Sequence, residues 1–141
     1  MVTFVYMIRR RPDLSPAAFE KAARASQNRI AALVRERLGA TRHRLAFGVC
    51  AKRSHCVSSV RRLEGQAPDA LLELSWPSID AYDRMMGTPE AIRMVDDMID
   101  AERSWVDFAR SAALLVEKES VACAESASQD NSKVLLSDEA T

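Results

Sequence analysis

VTFVYMIR, residues 2–9, is the stretch that decides the fold, because its apolar side chains occupy both faces of a strand. Alternate residues of a strand point to opposite faces of a sheet. One face carries Val2, Phe4, Tyr6 and Ile8, and the other carries Val5 and Met7. β-branched and aromatic residues favour strands, and a strand that is apolar on both faces is covered on both sides. The stretch therefore predicts a central strand.

Outward from this strand, the next element is a helix over about 16–38. Ser15 followed by Pro16 is a typical helix start, because the serine oxygen caps free amides and proline fits the first helical position. Gly39 supplies the C-terminal stop. A second strand is predicted over 41–50, where Gly48 marks a bulge or a close backbone approach.

The rest of the chain also divides into strands and helices. A polar surface connection is predicted over 51–68, followed by a strand at 69–76. Ser78 and Thr88 begin two helices, and a last strand is predicted at 111–117.

The order strand, helix, strand, strand, helices, strand predicts an α+β fold of the ferredoxin-like βαββαβ kind, with an antiparallel sheet. The helices would cover one face of the sheet, and the apolar residues of the other face would form an exposed surface that favours association with another protein. We therefore predict a homodimer that joins through the sheets. Residues 1–117 would form the domain, and the polar residues 118–141 a disordered tail.

Composition narrows the class of partner. The 141 residues include 20 basic and 20 acidic side chains, and this balance does not favour nucleic acid. No apolar run approaches the roughly 20 residues of a membrane span, so we expect a soluble, cytoplasmic protein without a membrane partner. Three cysteines without metal-ligand spacing predict reduced thiols and no metal site. No phosphate-binding loop or nucleophile elbow is present, which favours a pocket that needs no cofactor.

Four segments together resemble the EthD domain family over residues 2–117. They are RRRPDLSPAAF at 9–19, LELSWPS at 72–78, TPE at 88–90 and ERSWVDFARS at 102–111. The resemblance implies a dimeric α+β barrel, in which two ferredoxin-like units place their sheets face to face and each holds a pocket between sheet and helices. Similar barrels include muconolactone isomerases, polyketide cyclases, cofactor-free monooxygenases and haem-binding proteins.

The first helix departs from the family's pattern. The family usually has a histidine eight residues after the phenylalanine, and here Gln27 follows Phe19 at that distance. An amide cannot titrate near neutral pH, so it cannot replace the histidine in acid and base work. Glu102 and Asp107 match the family's late acidic positions, and Trp76 matches the aromatic residue that ends the third strand.

Two residues are predicted to be catalytic. His43 could serve as a general base from the second strand, or it could be solvated or bonded within the fold. Glu73 lies among apolar neighbours, where burial would raise its pKa and suit a proton shuttle. A structural ion pair between Glu73 and an arginine such as Arg9 is the alternative.

Four residues are predicted to bind substrate. Gln27 would orient a carbonyl group, or would bond a neighbouring backbone group instead. Tyr6 and Trp76 would wall a pocket for aromatic ligands, or belong to the core. Arg9 would bind an anion, or end its strand in solvent.

The sequence therefore predicts a cofactor-independent enzyme that moves protons on an apolar aromatic or polyketide-like metabolite, as isomerases, cyclases and dehydratases do. A non-catalytic ligand-binding or assembly protein of the same fold is one alternative. A cofactor-free or haem-dependent monooxygenase is another.

Overall fold

A computed structural model describes residues 1–49 and 51–119 of the chain. In chain order, its elements are β1 (Val2–Ile8), α1 (Pro16–Leu33), a π-helical turn (Val34–Leu38), β2 (Arg42–Phe47), α2 (Ala51–Val60), β3 (Ala70–Trp76), α3 (Ile79–Met86), α4 (Pro89–Glu102) and β4 (Ala112–Glu117).

The four strands form one antiparallel sheet in the order β2-β3-β1-β4. β1 is central, as its two apolar faces predict, and Val2 lies opposite Trp76 on one side and Glu117 on the other. This order and connectivity are those of a ferredoxin-like α+β fold, so the predicted fold class is confirmed.

Hydroxyl groups cap three of the helices where the sequence predicts helix starts. The side-chain oxygens of Ser15, Ser78 and Thr88 accept hydrogen bonds from the backbone amides three residues further on, at 3.1, 3.1 and 3.2 Å. Each cap satisfies an amide that has no partner inside the helix. The caps therefore fix where α1, α3 and α4 begin.

The hydrophobic core lies between the helices and one face of the sheet. One cluster centres on Trp76 and includes Leu38 and Met94. A second cluster packs Phe19 of α1 against Trp105, with 5.9 Å between the ring centroids. The strand residues of both clusters belong to a single face of the sheet, so this face is the one that positions the site.

Two helical predictions are corrected by the structure. The predicted connection at 51–68 contains α2, a helix whose side chains are largely exposed, so it lacks the apolar stripe that would reveal it in the sequence. The first helix is α-helical only to Leu33 and continues as the π-helical turn. Gly39, with φ at +68°, ends it in the left-handed conformation, as predicted.

Strands β2 and β4 are shorter than the sequence predicts. β2 spans Arg42–Phe47 instead of 41–50, and Gly48 follows the strand rather than lying within it. β4 begins at Ala112, one residue later than predicted.

The face of the sheet that points away from the helices is the open face. Its half-buried apolar side chains include Val5, Met7 and Leu71, and its Leu114 is 45% exposed. Thr3 and Ser75 are joined on it by a hydrogen bond of 2.9 Å between their hydroxyl oxygens. An apolar open face fits the predicted dimer, which stays a prediction.

Three other predictions concern the C-terminal tail, the cysteines and the absence of a membrane span. The tail predicted at 118–141 lies outside the described residues except for its first two positions, and Cys50 and Cys123 lie outside them too. Cys56 is exposed and has a free thiol. Within residues 1–49 and 51–119, every helix is too short or too polar to cross a membrane.

Candidate functional site

A cavity of about 490 Å³ lies between the helix-covered face of the sheet and helices α3 and α4. We call it the aromatic cavity and define it by Phe4, Tyr6, Trp76, Tyr82, Met98, Glu102 and Phe108. Phe4 and Tyr6 alternate along β1, so both side chains point to the same face of the sheet. α3 and α4 lie over this face and close the cavity from above.

The aromatic rings of the cavity are held in contact with one another. The Phe4 and Tyr6 ring centroids are 6.0 Å apart, and those of Trp76 and Tyr82 are 4.9 Å apart with their planes at 83°. Offset and edge-on pairs of this kind are favourable. The Trp76 Nε1–H also donates a 2.7 Å hydrogen bond to the backbone oxygen of Leu38, which fixes the indole as a cavity wall.

Glu102 is the acidic residue of the cavity. It is the last residue of α4, four positions after Met98 on the buried stripe of that helix, and only 5% of it is exposed. Its carboxyl group makes no hydrogen bond or ion pair with the described part of the chain. Burial disfavours the charged form and raises the pKa of Glu102 from 4.5 to about 7. A carboxyl group with this pKa can both take up and release a proton near neutral pH.

Tyr6 is the second titratable group in the cavity. Burial and, in smaller part, the negative charge of Glu102 together raise the pKa of its phenol from 10.0 to about 12. The phenol therefore stays protonated at neutral pH, and its hydroxyl group is available as a hydrogen-bond donor.

The aromatic cavity is free of positive charge within the described chain, since no lysine, arginine or histidine lines it. A charged Glu102 therefore has no counter-ion there. The cavity can supply one acid or base, hydroxyl groups and aromatic faces, which is a set of groups suited to a neutral ring compound.

Of the six site residues that the sequence predicts, the structure brings Tyr6 and Trp76 together in the aromatic cavity. Gln27 and His43 lie elsewhere, in a groove between α1 and the edge strand β2. The Oε1 atom of Gln27 is 2.7 Å from Nε2 of His43. Burial lowers the pKa of His43, so its ring is neutral at pH 7 and its Nε2–H donates to the amide oxygen.

Arg9 and Glu73 occupy two further places. Arg9 lies at the end of β1, with its Nε 3.4 Å from Oδ2 of Asp69 and its guanidinium bonded to Gln66. Glu73 projects from the open face, where its Oε1 is 3.5 Å from Nζ of Lys118. The alternative in which Glu73 pairs with Arg9 is therefore wrong. The catalytic and binding roles of the six residues stay predictions.

Glu102 matches a late acidic position of the EthD pattern, but its role as the acid of a cavity is not predicted from the sequence. The sequence does contain a signal that Glu102 is buried. The buried stripe of α4 has a spacing of three and four residues and consists of Ala91, Met94, Met98 and Glu102. An acidic side chain that continues an apolar stripe is desolvated and therefore a candidate for acid and base chemistry.

Between residues 1 and 119, with position 50 omitted, no three histidine, cysteine, aspartate or glutamate side chains are grouped so that they could hold a metal ion. Phosphate-binding loops are likewise absent from the sequence.

No protein-family model matches the chain, and no curated protein matches it. Among solved structures, a dimeric protein of unknown function with a ferredoxin-like fold from Bacteroides fragilis has a TM-score of 0.53 and 11% identity, with 83% of this chain and 95% of that chain covered. A protein from Arabidopsis thaliana has a TM-score of 0.53 and 15% identity, with 87% and 100% covered.

SnoaB, a cofactor-independent oxygenase from Streptomyces nogalater, has 19% identity and a TM-score of 0.49, with 85% of this chain and 94% of that chain covered. The Bacteroides and Arabidopsis proteins differ so much from this chain in sequence that their similarity establishes a shared fold and nothing more. The chain is thus a ferredoxin-like α+β protein, and its resemblance to the EthD family stays a prediction.

Proposed function

We propose that the protein is a cofactor-independent enzyme that moves a proton on a neutral, mostly apolar ring compound bound in the aromatic cavity. Isomerisation, cyclisation and dehydration are the reactions of this kind. The observation that carries the proposal is Glu102, a buried carboxyl group with a pKa of about 7 in a cavity without positive charge.

The proposed mechanism gives Glu102 and Tyr6 separate roles. The Glu102 carboxylate takes a proton from a carbon next to a substrate carbonyl group, and the electron pair of that C–H bond moves onto the carbonyl oxygen. The Tyr6 hydroxyl group donates a hydrogen bond to this oxygen while it carries negative charge. Glu102 then returns the proton at another carbon, so protons and electrons balance without an oxidant.

Glu102 replaces His43 and Glu73 as the proposed base because of its surroundings. His43 bonds Gln27 in a groove whose lining includes arginines, and Glu73 pairs with Lys118 on the open face. Neither lines the aromatic cavity, where Trp76 and Tyr6 offer ring faces to a substrate. Glu102 combines burial, a near-neutral pKa and access to the cavity.

The size and charge of the cavity favour a particular class of ligand. About 490 Å³ lies within the range of small-molecule sites. An anionic ligand would meet the Glu102 carboxylate without a compensating cation, so a neutral aromatic or polyketide-like skeleton with a carbonyl or hydroxyl group fits better.

The proposal includes a homodimer in which two copies join through their open faces. Val5, Met7, Leu71 and Leu114 would be covered in such a dimer, and apolar faces of this kind mark protein interfaces. The similar protein from Bacteroides fragilis is itself described as dimeric. We propose a cytoplasmic location for the dimer.

The decisive experiment identifies a ligand first and then tests Glu102. Native mass spectrometry of the purified protein identifies the bound molecule, and turnover of that molecule is measured with the wild type, Glu102→Gln and Asp97→Asn. Asp97 is an exposed residue of the same helix outside the cavity and serves as the matched control. We expect Glu102→Gln to bind the ligand and to lose at least about 100-fold in kcat, because general acid and base catalysis contributes that much.

Three results would change the assignment. Full activity of Glu102→Gln would remove the proposed base. A ligand that the wild type binds without converting would assign a non-catalytic binding protein, and oxygen consumption during turnover would assign a monooxygenase.

A further inference from the structure

A second depression, of about 850 Å³, lies between α1, the π-helical turn and the edge strand β2. We call it the arginine groove and define it by Arg24, Gln27, Asn28, Arg35, Arg42 and His43. It is separate from the aromatic cavity, with which it shares no lining residue. The function proposed above leaves the groove unexplained.

Gln27 is the buried polar residue of the groove, and only 4% of it is exposed. His43 holds its Oε1 atom at 2.7 Å, which directs the other end of the planar amide away from the ring. The amide nitrogen makes no hydrogen bond within residues 1–49 and 51–119. Because this nitrogen is not fully enclosed by protein, it can donate to an acceptor that enters the groove.

The charges around Gln27 are predominantly positive. Arg35 forms no ion pair or hydrogen bond with the described part of the chain. Arg24 lies over the Phe47 ring at 4.7 Å and approaches Glu20 at 3.5 Å. Arg42 borders the groove, but it lies opposite Ser75 in the sheet, so its side chain projects to the open face. Arg24 and Arg35 thus share the groove with a single acidic lining residue, Glu36, and guanidinium groups in a concave surface attract anions.

We propose that the arginine groove binds a small molecule through an oxyanion group, carboxylate or phosphate, at a site distinct from the aromatic cavity. Arg24 and Arg35 would supply the charge, and the Gln27 amide would donate to one of the anion's oxygens. His43 would hold the amide in place from the other side and would act as a positioning residue. The two depressions then select opposite ligands, because one is free of positive charge and the other is rich in it.

The test uses the full chain and two defined probes, benzoate for a carboxylate and inorganic phosphate for a phosphate group. Nuclear magnetic resonance of isotope-labelled protein follows the side-chain amide of Gln27 during each titration, with sodium chloride added to keep the ionic strength constant. We expect a saturable shift of the Gln27 amide with at least one probe.

Arg24→Gln and Arg35→Gln each remove one charge from exposed positions, so the fold should be retained, and we expect each to weaken binding about tenfold or more. Arg29→Gln is the matched control, because Arg29 is an exposed arginine of α1 that does not line the groove. It should bind as the wild type does.

The probe that binds assigns the group, benzoate a carboxylate and phosphate a phosphate. The proposal is overturned if neither probe shifts the Gln27 amide beyond the effect of chloride. It is also overturned if Arg24→Gln and Arg35→Gln bind as tightly as Arg29→Gln. Because the readout requires no turnover, its outcome is independent of Glu102 and of the proposed reaction.

Discussion

The Oε1 atom of Gln27 lies 2.7 Å from Nε2 of His43, and this pair belongs to a different depression from the carboxyl group of Glu102. Residues that the sequence predicts to share one pocket are therefore divided between the edge of the sheet and its helix-covered face. The division means that acid and base chemistry and anion recognition can be tested separately, by different variants.

The raised pKa of Glu102 predicts a stability that falls as pH rises. The pKa is 4.5 in the unfolded chain and about 7 in the folded protein, so between these values the unfolded chain loses its proton first. The loss begins near pH 4.5, is complete above about pH 7, and amounts to at most about 3 kcal/mol. Urea unfolding of the wild type at about pH 4 and about pH 8 measures it.

Glu102→Gln removes the charge that causes this loss. We expect the free energy of unfolding of the variant to exceed that of the wild type at about pH 8 and to lie close to it at about pH 4. Asp97→Asn, on the exposed side of the same helix, should keep the pH dependence of the wild type. An equal pH dependence in the wild type and Glu102→Gln would show that Glu102 is not desolvated.

Tyr6 should remain protonated well above pH 10.0, its ordinary pKa, because its own pKa is about 12. Carbon resonances of the tyrosine rings report the ionisation directly, and Tyr6→Phe assigns the signal. Glu102→Gln should lower the midpoint only in part, since burial is the larger cause of the shift and the charge of Glu102 the smaller. A Tyr6 signal that titrates near pH 10.0 would contradict the buried position of the phenol.

Substituting each of the two tryptophans measures what the hydrogen bond of Trp76 contributes to stability. Trp76→Phe leaves the backbone oxygen of Leu38 without its donor, whereas the Nε1 of Trp105 is buried without a partner and has no such bond to lose. Both substitutions remove a similar volume from the core. We therefore expect Trp76→Phe to cost about 1–3 kcal/mol more than Trp105→Phe in urea unfolding.

The open face predicts that Leu114→Lys separates the proposed dimer. Leu114 lies opposite Val5 in the sheet, so a lysine there would place a charge on the joined faces. Ile92→Lys is the control, since Ile92 is an exposed apolar residue of α4 on the other side of the molecule from the open face. Sedimentation at micromolar concentration should show a dimer for the wild type and Ile92→Lys, and a monomer for Leu114→Lys. A monomeric wild type would refute the dimer.

Much of the fold follows from local rules that act over a few residues. The alternation in VTFVYMIR predicts the central strand, and the hydroxyl groups of Ser15, Ser78 and Thr88 predict the helix starts. Helix α2 was not predicted, because most of its side chains are exposed and no periodic apolar stripe marks it in the sequence. The π-helical turn has no local signature in VRERL either, and only Gly39 marks its end.

The site was less predictable because it depends on packing between distant elements. Alternation alone places Glu73 and Trp76 on opposite faces of β3, and so separates Glu73 from the pocket that Trp76 lines. No comparable rule separates His43 from Tyr6, since both point to the helix-covered face, and only the positions of their strands in the order β2-β3-β1-β4 divide them. The pKa of Glu102 depends on how α4 packs against the sheet, which the sequence alone does not show.

The π-helical turn between Leu33 and Gly39 links the two depressions of the molecule. Its backbone bonds close five residues apart, so the turn is wider than an α-helical one. Val34 and Arg35 of the turn line the arginine groove, while the backbone oxygen of Leu38, its last residue, accepts the Trp76 hydrogen bond. A rearrangement of this turn would therefore reach the indole wall of the aromatic cavity through a single acceptor.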